Sequence, residues 1–474
     1  MSDLKNKPNI IFLMDDQHRW DALGCINPQV KTPHLDALIK SGVHFDQAVC
    51  QAPMCVPSRN SVMLGTYPNQ NSVTRNSMGL DDDELQTPPL AEVLRAGGYQ
   101  TAGFGKTHSG TRKQRPSTRG FETRYIGECF EEGAIMMKDA APEAKEKYDA
   151  EIKPLGGGEE NTLGYQGFTS KLPEEMHRDG WVSSKCLEFL EEGIDEEKPL
   201  FLYLSFLKPH AGHNVPKGYE DWYNERDIDY AKQPAWNEEI SAHAKGNNRN
   251  ETYEAYFKKA SEQQWREMTM RYYANCSWID DMFGRTLSSL EQKGLLENAL
   301  IVYCSDHGEM LGERYYRFNK YCLYESSVRI PLVVSGSALP QELKQKKDHR
   351  PAELLDLYPT ILECAGIVPP TKTRGLNLLS NKVRKGSFCA LHETETAFMW
   401  RTQNHKLILV MAERKADASD YTEQDVTDGE FYDLNTDPRE YDNLYHSDLK
   451  NSDVFQQMKS ELLEFLQTQQ CLSV

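Results

Sequence analysis

A mostly parallel sheet covered by helices on both faces, an α/β fold, is the class this sequence predicts, and three observations carry the prediction. Short, almost wholly apolar runs recur along the chain, amphipathic stretches of helical period separate them, and polar residues with useful chemistry follow directly on several of the runs. Buried strands alternating with helices require helix cover on both faces. A parallel sheet then gathers its functional groups at strand C-termini.

The first run, Ile10 to Met14, lies between Pro8-Asn9 and Asp15-Asp16. Its length suits a buried strand and is too short for a signal peptide. Further strands are expected at Gln100 to Gly105, Leu200 to Leu207, Ala299 to Cys304 and Ile330 to Val334, with helices at Pro33 to Ser41, Pro89 to Ala96 and Trp278 to Gln292. Two stretches, Cys129 to Gly180 and Ala211 to Glu262, break the alternation. They are rich in Glu, Lys, Gly, Asn and aromatics and read as surface insertions that wall a pocket. After Gly375 the texture changes to short strands, Phe388 to His392, Lys406 to Met411 and Glu430 to Asp433. A last helix, Asp453 to Gln469, would dock through Val454, Met458, Leu462, Phe465 and Leu466. The expected division is a catalytic domain over 1–375 and a smaller α+β subdomain over 376–474, a small antiparallel sheet plus the terminal helix.

The 474 residues carry 54 Lys plus Arg against 72 Asp plus Glu, a net charge of −18, which argues against nucleic acid and anionic membrane surfaces as partners. Aromatics reach 10%, so a normal core rather than disorder is expected. Eleven cysteines, an odd number without a C-x-x-C pair, suit a reducing compartment, hence a cytoplasmic protein, or a periplasmic one if a leader was removed. No run approaches the roughly 20 apolar residues of a membrane span.

The most informative segment is Cys55-Val56-Pro57-Ser58-Arg59, followed by Leu64-Gly65. Other motifs follow in order: Asn9 to Asp16 with its acidic pair, Gly105-Lys106-Thr107-His108, Lys208-Pro209-His210, Ser305-Asp306-His307-Gly308-Glu309, Asn319-Lys320 with Tyr324-Glu325, and Phe431-Tyr432-Asp433-Leu434 with Asp437-Pro438. Together they resemble the formylglycine-dependent sulfatases of the alkaline phosphatase superfamily, over about nine tenths of the chain. The resemblance implies an alkaline phosphatase-like fold and oxidation of Cys55 to formylglycine by a maturation enzyme. The hydrated aldehyde would attack sulfur and later release sulfate.

The resemblance also implies the site. Asp15, Asp16, Cys55, Asp306 and His307 would hold one divalent metal, Ca²⁺ by their hard oxygen donors, with Mn²⁺ compatible because His307 stands where most members carry Asn or Gln. Arg59 would hold the nucleophile and metal ligands, Lys106 and Lys320 would clamp sulfate oxygens, His108 would handle the nucleophile's proton, and His210 would protonate the leaving oxygen. Gln17, His18, Arg19, His213, His392, Glu393 and Arg401 are candidates for substrate contacts. The expected activity is exo-acting removal of sulfate from a terminal sulfated sugar in glycan catabolism, with aryl sulfates as further substrates and a homo-oligomer possible. A phosphodiesterase or phosphonate monoester hydrolase on the same scaffold, and a non-catalytic sugar-binding relative with Cys55 unmodified, are the alternatives.

Overall fold

The computed structural model describes residues 7–108, 118–127, 134–153, 165–233, 248–370, 372–393 and 395–470. Residues 129–133, 154–164 and 234–247 of the two expected insertions lie outside the described residues. The central sheet has nine strands: β1 (Asn9–Asp16), β2 (Val43–Phe45), β3 (Gln100–Gly105), β4 (Thr123–Ile126), β5 (Ile135–Met136), β6 (Leu200–Pro209), β7 (Ala299–Ser305), β8 (Leu332–Ser335) and β9 (Lys346–Asp348), in the order β9-β2-β8-β7-β1-β6-β3-β4-β5. β1 runs at the centre, parallel to β7 on one side and β6 on the other, and β8 is antiparallel to both its neighbours.

The continuous apolar run of β1 follows from cover on both faces. Ile10, Phe12 and Met14 enter one core with Val62 and Met63 of helix α2 (Cys55–Leu64), while Ile11 and Leu13 enter the other with helices α4 (Arg178–Glu192) and α5 (Glu262–Gln292). Two further helices match expectation, α1 (Pro33–Ser41) and α3 (Leu90–Ala96). Helix α5 differs. It has 31 residues and starts at Glu262, where Ser261 and Gln264 form a reciprocal capping box. Only its C-terminal half packs on the sheet. Trp265, Met268 and Tyr272 of the upstream half enter a separate aromatic cluster with Tyr165, Tyr253 and Phe318, so no single apolar stripe marks it in the sequence.

The C-terminal sheet has four antiparallel strands in chain order, β10 (Ser387–Leu391), β11 (Thr396–Arg401), β12 (His405–Met411) and β13 (Val426–Asp433). β11 is not among the strands expected from the sequence. Its apolar run Ala397 to Trp400 is buried on both faces like β1, Ala397 and Met399 on the main core, Phe398 and Trp400 on the C-terminal one. The last helix, α6 (Asp453–Gln467), docks through Phe455, Met458, Leu462 and Leu466. Val454 is 42% exposed, because it falls about 100° around the helix from Phe455 and off this stripe. Arg401 and Lys406 of this sheet reach Glu325 of the main body, each at 2.8 Å, in a buried ionic hub that also includes Glu440. The nine cysteines among the described residues are all free thiols.

Candidate active site at the strand ends

Three central strands deliver the site. β1 ends in Asp15-Asp16, β7 runs into Asp306-His307, and β6 leads to His210, while Cys55 is the first residue of α2. Ligand atoms of Asp16, Cys55, Asp306 and His307, all buried, lie within 4.8 Å of one another. Cys55 Sγ is 3.2 Å from His307 Nε2 and 3.1 Å from Lys320 Nζ. The His307 Nδ1 lies 3.0 Å from the Gly308 carbonyl, so Nδ1 carries a proton and Nε2 faces the cluster.

Arg59, one helical turn after Cys55, organises the group. Its Nε donates to Asp306 Oδ2 at 2.7 Å, its Nη1 to the Lys106 carbonyl at 2.7 Å and Ser205 Oγ at 2.9 Å, and its Nη2 to Asp16 Oδ2 at 3.4 Å. Ser58 adds a 2.6 Å bond to the Asp306 carbonyl. Lys106 Nζ pairs with Asp16 Oδ2 at 2.7 Å. The charges bias one another. Burial acts to raise the Asp16 carboxyl, but Lys106, His210, Lys320 and Arg59 hold it well below the usual carboxylate range. Burial and Asp16 likewise push the Cys55 thiol up, and Lys106, Lys320 and His307 bring it well below an ordinary thiol. Burial acts to lower the His307 imidazole, but Asp306 and Cys55 together raise it to about 9. His210 goes the other way, pushed down to about 3 by burial and by Lys320.

Asp15 stands slightly apart. Its Oδ2 is held by His18 Nδ1 and Tyr303 OH, each at 2.8 Å, while its buried Oδ1 has no hydrogen-bond partner among the described residues. The His108 Nδ1 and His213 Nε2 are also buried without a partner among them. Gln17 is drawn into the cluster by Lys320 Nζ, which donates to its Oε1 at 2.8 Å. Other sequence candidates are committed elsewhere. His18 bonds Asp15 and the Ala22 carbonyl; Arg19 pairs with Asp21 and Glu313. His392 bonds Asn69 Oδ1 at 2.8 Å, and Arg401 is paired with Glu325. Glu393 is half-buried on the turn before β11. Lys208, at the end of β6, turns away to the Gly212 carbonyl and Asn214.

Sequence reasoning assigned no role to several residues that shape the site. Tyr203 and Ser205 of β6 both bond Arg59, Asn76 Oδ1 accepts from Val56 N at the start of α2 at 3.1 Å, and Glu309 accepts from Gln17 Nε2 and from Tyr165 OH. Alternation along β6, which points Tyr203 and Ser205 to one face, and the place of Glu309 at the end of the Ser305-to-Glu309 motif are the sequence signals for them.

The sequence model of the Sulfatase family matches residues 8–367, and that of the N-sulphoglucosamine sulphohydrolase C-terminal region matches residues 312–469. An arylsulfatase of Clostridium perfringens is 27% identical over 455 residues, covering 93% of this chain and 91% of that protein. An N-acetylglucosamine-6-O-sulfatase of Bacteroides thetaiotaomicron is 25% identical over 510 residues, covering 93% and 83%. Among solved structures, the phosphonate monoester hydrolase of Agrobacterium radiobacter superposes with a TM-score of 0.75 at 20% identity, covering 98% of this chain and 96% of that one. At such identity the likeness is one of fold. With the family match spanning most of the chain and sulfatases among its relatives, the chain belongs to the sulfatase family and is a sulfuric ester hydrolase.

Proposed function

We propose that the protein removes sulfate from a terminal sulfated sugar, with an oxidised Cys55 as nucleophile and one divalent metal as partner. The observation that carries the reading is the convergence on Cys55 of a compact ligand set and two buried ammonium groups. The ligand set fits a divalent cation, offering two carboxylates, an imidazole Nε2 facing inward and the unpartnered Asp15 Oδ1. Asp16, Asp306, His307 and the oxidised Cys55 would hold the ion, with Asp15 alongside. Ca²⁺ suits the oxygens and Mn²⁺ the imidazole, and either supplies Lewis-acid stabilisation of anionic oxygen. Formylglycine, made by a maturation enzyme, supplies a covalent nucleophile with a built-in release step.

The chain's own residues do the rest. Arg59 fixes Asp306 and Asp16, so the ligand set is ordered before substrate arrives. Lys106 and Lys320 neutralise sulfate oxygens as charge develops, and His108 handles the nucleophile's proton. His210 Nδ1 is 3.3 Å from the Ala211 carbonyl, which leaves Nε2 as the atom that must carry the proton to the leaving oxygen. Its depressed pKa makes the ring neutral beside the two lysines. An arriving sulfate anion offsets their charge and so acts to raise the His210 pKa.

A sugar substrate is supported by relatives that include the N-acetylglucosamine-6-O-sulfatase and an ulvan-active sulfatase of Formosa agariphila. The charge of −18 disfavours a long polyanion-binding groove and suits exo action. The test is the peptide mass at residue 55 in active protein together with Cys55→Ala, expected to abolish turnover while leaving the fold intact. Ordinary activity in that variant refutes the reading. His307 in the ligand set favours side activity on phosphonate monoesters, which paired aryl sulfate and aryl phosphonate assays would measure.

A further inference from the structure

Gln17 lies between two groups of opposite hydrogen-bonding character. Its Oε1 accepts from Lys320 Nζ at 2.8 Å, its Nε2 donates to Glu309 Oε2, and its backbone N donates to Asp306 Oδ1 at 3.1 Å. The residue is held in the left-handed region, φ +68°, an arrangement a side chain adopts only when its surroundings demand it. Glu309 is anchored as firmly. Its Oε1 accepts from the backbone N of Leu311 at 2.8 Å and of Asn319 at 2.6 Å, and its Oε2 also receives Tyr165 OH at 3.1 Å. Three of these four partners can only donate, so Glu309 serves as an acceptor-only carboxylate. Gln17, Glu309 and Lys320 are all buried.

An ammonium only donates and this carboxylate only accepts, so one orientation of the Gln17 amide satisfies both. A lysine stem is long and flexible, and Asp16 also attracts the Lys320 ammonium. Asp16 Oδ2 is already taken by Lys106. Resting on the sulfatase reading above, we infer that Gln17 and Glu309 are a positioning pair for Lys320 rather than substrate contacts. Glu309 sets the amide's orientation, and the amide oxygen holds the ammonium beside residue 55, where the sulfate oxygens must sit. Glu309 also anchors the backbone of Asn319, the residue before Lys320, so both ends of the lysine's placement depend on one carboxylate.

The inference is tested by exchanging the two groups. Glu309→Gln and Gln17→Glu each break the donor–acceptor polarity, and the combined swap restores it with the charge unchanged. On an aryl sulfate, each single variant is expected to lose at least about 10-fold in kcat with KM nearly unchanged, and the swap to recover to within about 3-fold of wild type. In a Lys320→Ala background, Glu309→Gln should cost nothing further. A swap no better than the worse single variant, while melting like wild type, overturns the inference, and so does a full additional loss in the Lys320→Ala background. A crystal structure of Glu309→Gln reads the same question without turnover. Lys320 Nζ displaced from residue 55 supports the pair, and an unmoved Nζ overturns it. Absence of turnover in the wild-type protein, by contrast, counts against the sulfatase chemistry and leaves the structural readout intact.

Discussion

Arg401→Met is expected to lower folding stability by about 3 kcal/mol and to leave KM for sulfate esters unchanged. Arg401 donates through Nε and Nη2 to the two Glu325 oxygens, both at 2.8 Å, and both residues are buried. Removing one partner of a buried ion pair costs about 3–5 kcal/mol, because the other charge is left desolvated. Two features place this case at the lower end. Glu325 keeps Lys406 Nζ at 2.8 Å and Arg329 Nη1 at 3.7 Å, and methionine preserves most of the arginine stem's volume. The loss also depends on pH. Burial acts to raise the Glu325 carboxyl, but Arg401, then Lys406, hold it well below the usual carboxylate range. The stabilisation is therefore fully present above the unfolded-state value near pH ~4.3 and fades as pH falls through the lower folded one, so variant and wild type converge in acid. Urea unfolding at pH 7 and in steps below pH 4, with kcat and KM on an aryl sulfate, measures both quantities. A KM raised tenfold with an unchanged urea midpoint would show that Arg401 meets substrate and would refute this account.

Three other predictions follow from the same contacts. His210→Ala should slow a sulfated sugar at least one order of magnitude more than a nitrophenyl sulfate, since general acid catalysis is worth about 10²- to 10⁴-fold and a nitrophenolate leaves without it; equal losses on both would make His210 a binding residue. Chelation should abolish activity and divalent metal should restore it, whereas Asp306→Asn, which also weakens the Arg59 pair, should not recover; full activity with metal shown to be absent by elemental analysis would count against the metal. Asp280 is pushed up to about 7 by burial, even though it accepts from the backbone N of His34 and Leu35 at the start of α1. Between the unfolded value near ~3.9 and that pH the folded state holds a proton the unfolded chain has lost, so stability falls as pH rises, by up to about 1.4 kcal/mol per unit. Asp280→Asn should flatten the urea midpoint between pH 5 and 7, and an unchanged slope would refute it.

Much of the site was readable along the chain because its parts are local. Cys55 and Arg59 are four apart on one helix, Asp306 and His307 are adjacent, and the acidic pair closes an apolar run; such short patterns fix chemistry before folding does. The central strands were equally legible, since a strand buried on both faces is apolar at every position, whereas α5 passes along its length from the aromatic cluster onto the sheet core and so carries no single stripe. Residue type alone could not separate a substrate contact from a buried tertiary bond. His392 and Arg401 are polar residues in the right region, yet each is committed to a partner, Asn69 and Glu325, 323 and 76 positions away. The same holds in the opposite sense for Glu309 and Gln17, 292 positions apart, and for Lys320 and Cys55, 265 apart. Sequence alone therefore determined which chemical groups the protein owns and at which strand ends they emerge. Only the tertiary structure decided which charge faces which, because a hydrogen bond or ion pair depends on distances of about 3 Å between atoms that the chain's order leaves unconstrained.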